Sequence, residues 1–331
     1  MTERLRRVLV LGATGHIGQA IVRHALACGR EVTAVSRREN PEPLRGLAVK
    51  IVRVDPDLRN LPDLVSGHDL LIDAAGPYRL VPDLPGSPSW QAQVESAVRR
   101  TEKIVDAGRR HGTPLVHVSS CTTVRRPMSS SQQAAAVWRR SISPYFEAKA
   151  AMERAVVAAA RNGLRAVIVN PGAFLGPWEY RTVEASFVRS VLEQRFPMVL
   201  DQAMCVIDVR DVAEAIDRAL VHEFYGRPVP LSGHNISLQN LVMLTAQLAG
   251  LQLGRPLLLP PDTVLATIFW MQRGFMAWGL TPPEPLGFLP LIADVLPMPR
   301  SPEQTELGVT IRPLETTLRE AIAFHRQRRA A

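Results

Sequence analysis

Lysine is almost missing from this chain. Of 39 basic residues in 331, only Lys50, Lys103 and Lys149 are lysines. Cysteine is as scarce: Cys28, Cys121 and Cys205 are odd in number and far apart, which excludes a disulfide framework, indicates no metal site and suits a reducing cytoplasm. Aromatic residues make up 5% of the chain. The arginines are scattered rather than gathered on a recognisable motif, so the net charge of +8 does not make this a nucleic-acid binder. The opening "MTERLRRVLVLG" has too short an apolar run for a secretory signal. Residues 263–280, "TVLATIFWMQRGFMAWGL", are interrupted by Gln272 and Arg273 and fall short of the roughly 20 apolar residues that a membrane span needs. A core or pocket helix is expected there, with no membrane insertion. No internal repeat or low-complexity tract is present.

What remains is an ordinary globular composition, 46% hydrophobic and 21% charged, long enough for a large core and two lobes. The first half alternates short apolar runs with helical patterns. Strands are expected at 8–12, 31–36, 49–55, 69–76, 114–120 and 164–172, with helices between them. Continuous apolar strands spaced by helices indicate a parallel sheet covered on both faces, which binds ligands at the carboxyl ends of its strands. The expected class is therefore α/β, a doubly wound parallel Rossmann sheet over residues 1–171. Residues 204–233 are expected to return to it. A smaller, discontinuous substrate lobe is expected from 172–203 and 234–331, where proline becomes frequent.

The first strand runs into "GATGHIG". Gly12, Gly15 and Gly18 permit a tight turn and a close backbone approach, so that a pyrophosphate can rest on the following helix N-terminus. The second strand ends in Ser36, Arg37 and Arg38. A free ribose 2′-hydroxyl is usually met there by a carboxylate and a 2′-phosphate by arginine, so NADP (as NADPH) is expected over NAD. Asp55, at the end of the third expected strand, is placed to reach the adenine edge, with Ala74, Ala75 and Gly76 as a small-residue floor beneath it.

One of the three lysines, Lys149, follows one of only four tyrosines at a spacing of four, in "SPYFEAK". About 0.04 such pairs are expected by chance. On a helix these positions share a face, and an ammonium beside a phenol favours phenolate. "GATGHIG", "VHVSS", "SPYFEAK", "VIVNPGAFLGP" and "VIDVRDVAEAI", in this order, resemble the extended short-chain dehydrogenase/reductase family, also called the NAD-dependent epimerase/dehydratase family. The dihydroflavonol-reductase-like and hopanoid-associated epimerase-like branches are the most similar. The resemblance implies that Tyr145 is the general acid, Lys149 its partner and Ser120 the hydroxyl that holds the substrate oxygen. Ser119 should point to the opposite face of its strand. The implied cofactor set is completed by Thr14, His16, Ile17, Pro171, Ala173 and Phe174, and the family's usual assembly is a homodimer through the helices around 92–111 and 146–162.

Three departures stand out. "AVRRT" (97–101) lacks the active-site asparagine of the family's "NVxGT". Asp73 takes the place of a usual histidine. Cys121, Thr122 and Thr123 stand where dehydratases carry an Asp-Glu pair, which argues against water elimination because that reaction needs an acid and a base; Cys121 reads as a packed thiol. A carbonyl reductase or alcohol dehydrogenase follows, with a sugar epimerase second and a non-catalytic NADP-sensing regulator third. The expected substrate is a largely apolar small molecule. Phe174, Trp178, Tyr180, Phe187, Phe196, Phe269, Trp270, Met271, Phe275, Met276 and Trp278 are the candidates to roof its pocket, about half of them expected to be plain core. Arg181, Arg189 and Arg195, or the loop with Arg125, Arg126, Arg139 and Arg140, could instead meet a diphosphate.

Overall fold

The computed structural model describes residues 5–76, 87–124, 140–141, 143–181, 186–280 and 294–330. Strands β1 (Arg7–Leu11), β2 (Glu31–Val35), β3 (Val49–Val52), β4 (Leu70–Asp73), β5 (Leu115–Val118) and β6 (Ala166–Pro171) alternate with helices α1 (His16–Ala27), α2 (Leu61–Ser66), α3 (Pro88–His111) and α4 (Pro144–Arg161). The six strands and β10 (Pro228–Leu231) form one seven-stranded parallel sheet in the order β10-β6-β5-β4-β1-β2-β3. This is the doubly wound Rossmann order, whose ligand crevice opens where the order reverses, outside β1 and β4.

The sheet is buried on both faces because its strands alternate between two apolar clusters. Val8, Val10 and Val116 join α1 residues such as Ile17 and Ile21. Leu9, Leu11 and Leu115 join Ile104 of α3 and Val156 of α4 on the other side. Helix α4 is started by Ser143, whose Oγ accepts from the Tyr145 backbone N–H at 3.3 Å, and Pro144 supplies a pre-set first turn. Helix α3 ends where Gly112 turns left-handed, at φ 63°.

The remaining elements are β7 (Ala173–Leu175), α5 (Phe187–Leu192), β8 (Met198–Leu200), β9 (Ala203–Asp208), α6 (Val209–Val221), β11 (His234–Ser237), α7 (Leu238–Leu248), β12 (Leu257–Leu259), α8 (Pro261–Ala277), α9 (Pro302–Glu306) and α10 (Leu314–Ala330). A second core gathers Val188, Val191, Leu241, Val242, Leu265 and Leu318. The expected return to the large sheet is split. Residues 228–231 do join it, but β9 pairs with β7 and β11 in a separate three-stranded sheet. The helix after β9 is what comes back: Val212 and Ile216 of α6 share the cluster that holds α1. A short apolar strand fits either sheet equally well, so periodicity alone cannot place it.

Candidate active site

The turn after β1 is built by close backbone approach. Gly12 has φ +79°, and a Cβ there would stand 2.7 Å from the Ala74 carbonyl carbon. Gly15 is the N-cap of α1 and offers no side chain to the first turn, which also contains no acidic residue. The first amides of α1 thus point outward beside Gly15, Thr14 and Gly18, an arrangement suited to an anion. Ser36 is buried and its Oγ accepts from the Arg38 backbone N–H at 3.1 Å. Arg37 and Arg38 are exposed. These features fit a dinucleotide. Asp55 departs from expectation: β3 stops at Val52, and Asp55 is exposed, with its backbone N–H donated to Asn60 Oδ1 at 3.0 Å.

A cavity of about 410 Å³ lies at the carboxyl edge of the large sheet, against the second core. Ser120, Tyr145 and Lys149 all line it, as do Ile17, Ala74, Gly76, Pro171, Ala173 and Phe174. Ser120 follows β5 in extended conformation and caps a short 3₁₀ turn. Its Oγ accepts from Thr122 Oγ1 at 2.9 Å and from the Thr122 N–H at 3.2 Å. Both acceptor positions are filled from one side, which leaves the single O–H to be donated. Thr122 is thus the hydrogen-bond neighbour of Ser120, at a position that the sequence signalled only as an absent carboxylate. Ser119, expected on the opposite face of its strand, also borders the cavity, while its Oγ donates to Glu153 Oε2 at 2.5 Å, where Thr123 and Asn170 converge as well. Cys121 is buried with Cys205 and Met298 in an apolar cluster.

Lys149 lies one turn beyond Tyr145 on α4, 4% exposed, and donates from Nζ to the Val118 carbonyl at 3.0 Å. Burial pushes the ammonium down to about 8, opposed by the Asp73 and Glu153 carboxylates. Gly76 is shaped by the same contact, because a Cβ there would stand 2.8 Å from Nζ. Beneath lies a buried charge cluster. Arg100 forks onto Asp73 at 2.7 and 3.1 Å, and His117 Nδ1 lies 3.3 Å from the same carboxylate. Although burial opposes ionisation, Arg100 and His117 hold Asp73 well below the ordinary carboxylate range.

His16 sits beneath the glycine turn rather than on the cavity. Its Nε2 donates to the Pro177 carbonyl at 3.0 Å, and Nδ1 faces Glu179 and Arg181 at 3.7 and 3.5 Å. Burial pushes the imidazole down to about 4. Glu179 is ion-paired to Arg181, accepts from Ser186 Oγ at 2.6 Å, and lies 3.6 Å from His325 of α10. The start of α1 is thereby braced to the C-terminal helix through a carboxylate that local sequence did not mark.

The expected roof is corrected. Phe174, Phe187 and Phe196 line the cavity together with Met204, Leu238 and Leu241. Trp178 lies under Arg23, and Tyr180 packs on Phe324. No residue of α8 reaches the cavity; Trp270 and Trp278 are 68% and 84% exposed. Of the basic candidates, Arg181 and Arg195 line the cavity, whereas Arg189 pairs with Glu193. Arg140 pairs with Asp294, and Arg125, Arg126 and Arg139 lie outside the described residues.

Residues 8–229 match the NAD dependent epimerase/dehydratase family. A Synechocystis sp. protein whose given name assigns it, provisionally, as a dihydroflavonol 4-reductase is 26% identical over 95% of this chain and 92% of its own. The sterol demethylase protein B of Methylococcus capsulatus is 28% identical over 73% and 74%. The crystal structure of a nucleoside-diphosphate-sugar epimerase from Pseudomonas aeruginosa superposes with a TM-score of 0.72 at 21% identity, covering 97% and 98%. Among the described residues no helix is long and apolar enough to cross a membrane. The chain belongs to the NAD dependent epimerase/dehydratase family, that is, to the extended short-chain dehydrogenase/reductases, and is an NAD(P)-dependent oxidoreductase-type enzyme.

Proposed function

We propose that this protein is an NADPH-dependent reductase of a ketone or aldehyde on a largely apolar small molecule, or catalyses the reverse alcohol oxidation. The observation that carries this reading is the convergence of Ser120, Tyr145 and Lys149 on one cavity whose far wall is Phe174, Phe187, Phe196, Met204, Leu238 and Leu241. Apolar walls with a few placed polar groups are the usual make-up of a small-molecule site.

The nicotinamide, when bound, supplies or accepts the hydride. Ser120 donates its O–H to the substrate oxygen, where negative charge develops. Tyr145 delivers the phenolic proton to that oxygen, and in the reverse direction its phenolate takes the proton back. The Lys149 ammonium favours the phenolate and is placed to hold the nicotinamide ribose. The amides beside Gly15 hold the pyrophosphate, and Arg37 and Arg38 hold the 2′-phosphate.

A sugar epimerase is the second reading, favoured by Arg181 and Arg195 on the cavity wall. Against it, each arginine already faces a carboxylate, Glu179 and Glu193 respectively. A homodimer through α3 and α4 is part of the proposal, and light scattering checks it. A panel of carbonyl compounds and sugar nucleotides, read by nicotinamide absorbance with each cofactor, tests the whole reading. Cofactor-dependent turnover of apolar carbonyls supports it. Inertness of all of them beside an epimerised sugar nucleotide overturns it.

A further inference from the structure

The last turn of α1 carries His24 and, four residues on, Cys28 at the C-cap, so the two side chains lie on one face. Helix α6 packs against α1 and brings Asp217 to the same spot. His24 Nε2 lies 3.6 Å from Cys28 Sγ and 3.5 Å from Asp217 Oδ2. The three donor atoms all fall within 4.8 Å of one another, the one such group among the described residues. Metal–sulfur and metal–nitrogen bonds of about 2.3 and 2.0–2.1 Å at a tetrahedral centre give S···N and N···O edges of roughly 3.5 and 3.4 Å. The donors already stand at those edges.

Two further features bear on the site. Arg30 pairs with the other carboxylate oxygen, Oδ1, and its own side chain is 8% exposed. It fixes Asp217 with Oδ2 turned toward His24, as an outer partner orients a metal-binding carboxylate. Cys28 is exposed, whereas Cys121 and Cys205 are buried, so the cluster is open to an ion from solvent.

We propose that His24, Cys28 and Asp217, brought together by the packing of α1 on α6, form a binding site for a zinc-like divalent ion. Imidazole with thiolate selects such ions over magnesium or calcium. On binding, the Cys28 S–H bond breaks, the sulfur–metal bond forms, and the proton leaves to solvent; no electrons are transferred. The ion ties the end of α1 to α6 at the pole opposite the glycine turn. The spacing His-x₃-Cys is visible in the sequence, but the third ligand lies 189 positions away, which is why cysteine count alone indicated no site.

The test uses the metal-stripped full-length protein. Zn²⁺ is titrated against a chromophoric chelator, and Co²⁺ is added separately to read thiolate-to-metal charge transfer in the near ultraviolet. One equivalent of Zn²⁺ is expected to bind and Co²⁺ to give the thiolate band. Cys28→Ser and His24→Asn should each weaken Zn²⁺ binding by about a hundred-fold or more, and Cys28→Ser should abolish the band. Absence of saturable binding at micromolar Zn²⁺, or one-equivalent binding that survives either substitution, overturns the assignment. None of these readouts depends on the reaction proposed above.

Discussion

Arg100 closes a bidentate ion pair on Asp73 beneath Lys149, with the carboxylate 1% exposed and the guanidinium 27%. Both residues stand at positions where the family pattern leads one to expect something else. Asp73 replaces a histidine, and Arg100 lies in the segment that has lost its asparagine. The two departures thus meet in one ion pair. A carboxylate buried at this depth needs a cation, and α3 supplies it from one turn beyond Ala97.

Arg100→Met should destabilise the fold by about 3–5 kcal/mol, because it strands a buried charge. Adding Asp73→Leu should restore most of the loss, since an apolar pair of similar volume is often as stable as the ion pair it replaces. Urea unfolding of the single and double variants measures this. Equal losses in both would show that the pair is not a coupled unit.

This pairing also marks where sequence reading ran out. The glycine turn, the alternation of apolar strands with helices and the Tyr145–Lys149 spacing were legible because each depends on neighbours within a few positions. The Asp73–Arg100 pair, the Glu179 brace and the cavity wall from Met204 to Leu241 depend on elements far apart in the chain. The aromatic run of α8 misled for a related reason: hydrophobicity marks a surface to be covered, but not which residues line a pocket. Trp270 and Trp278 face solvent, while less conspicuous Leu238 and Leu241 form the wall.

Tyr145→Phe should abolish turnover with little change in unfolding, because it deletes one hydroxyl from an otherwise unchanged ring. Retained turnover would remove Tyr145 from the proton path. Lys149→Met should lose both activity and cofactor affinity. Burial holds the folded Lys149 at about 8, so the parent's kcat/KM for reduction should fall above pH 8 as the ammonium is lost. The stability effect has the opposite sign. Between pH 8 and 10.5 the unfolded chain binds the proton that the folded chain has released, so this group makes stability rise with pH, by about 1.4 kcal/mol per unit. The rise should be absent from Lys149→Met; its persistence there would assign it to another group.

His16 acts in the same sense in the acid range. Its imidazole is held neutral down to about 4 against an ordinary 6.5. Below pH 6.5 the unfolded chain gains a proton that the folded chain refuses, so stability should fall by about 1.4 kcal/mol per unit between 6.5 and 4. His16→Phe, which keeps a ring against Phe174, should flatten that slope. Unfolding midpoints of both proteins at pH 5 and 7 decide it, and identical slopes would count against a buried neutral His16.

Cofactor choice rests on Ser36 and the two arginines after it. NADPH should bind more tightly than NADH, and Arg37→Ala should narrow the gap by about tenfold, the value of one charge-assisted hydrogen bond. Ser36→Asp should go further and favour NADH, since a carboxylate there suits a ribose hydroxyl and repels a phosphate. Fluorescence titration with both cofactors measures each case. Equal affinities in the parent would refute the assignment.

The substrate prediction turns on what each cavity group is free to meet. The aromatic and aliphatic wall can only exchange water for apolar surface, at about 25 cal/mol per Å² buried. Phe187 and Phe196 pack with ring centroids 5.5 Å apart and planes tilted by 44°, and both face the space, so a bulky or polycyclic skeleton would contact them together. A diphosphate would need convergent cations, yet Arg181 is already paired with Glu179 and Arg195 with Glu193. Phe187→Ala should therefore raise KM for an apolar ketone by about tenfold or more, which corresponds to roughly 1.4 kcal/mol of lost contact, with kcat little changed because Ser120 and Tyr145 are untouched. Arg195→Ala should leave the same KM nearly unaltered. Saturable binding of a UDP-sugar that Arg195→Ala abolishes and Phe187→Ala spares would reverse the assignment and make the arginines, rather than the aromatic wall, the specificity element.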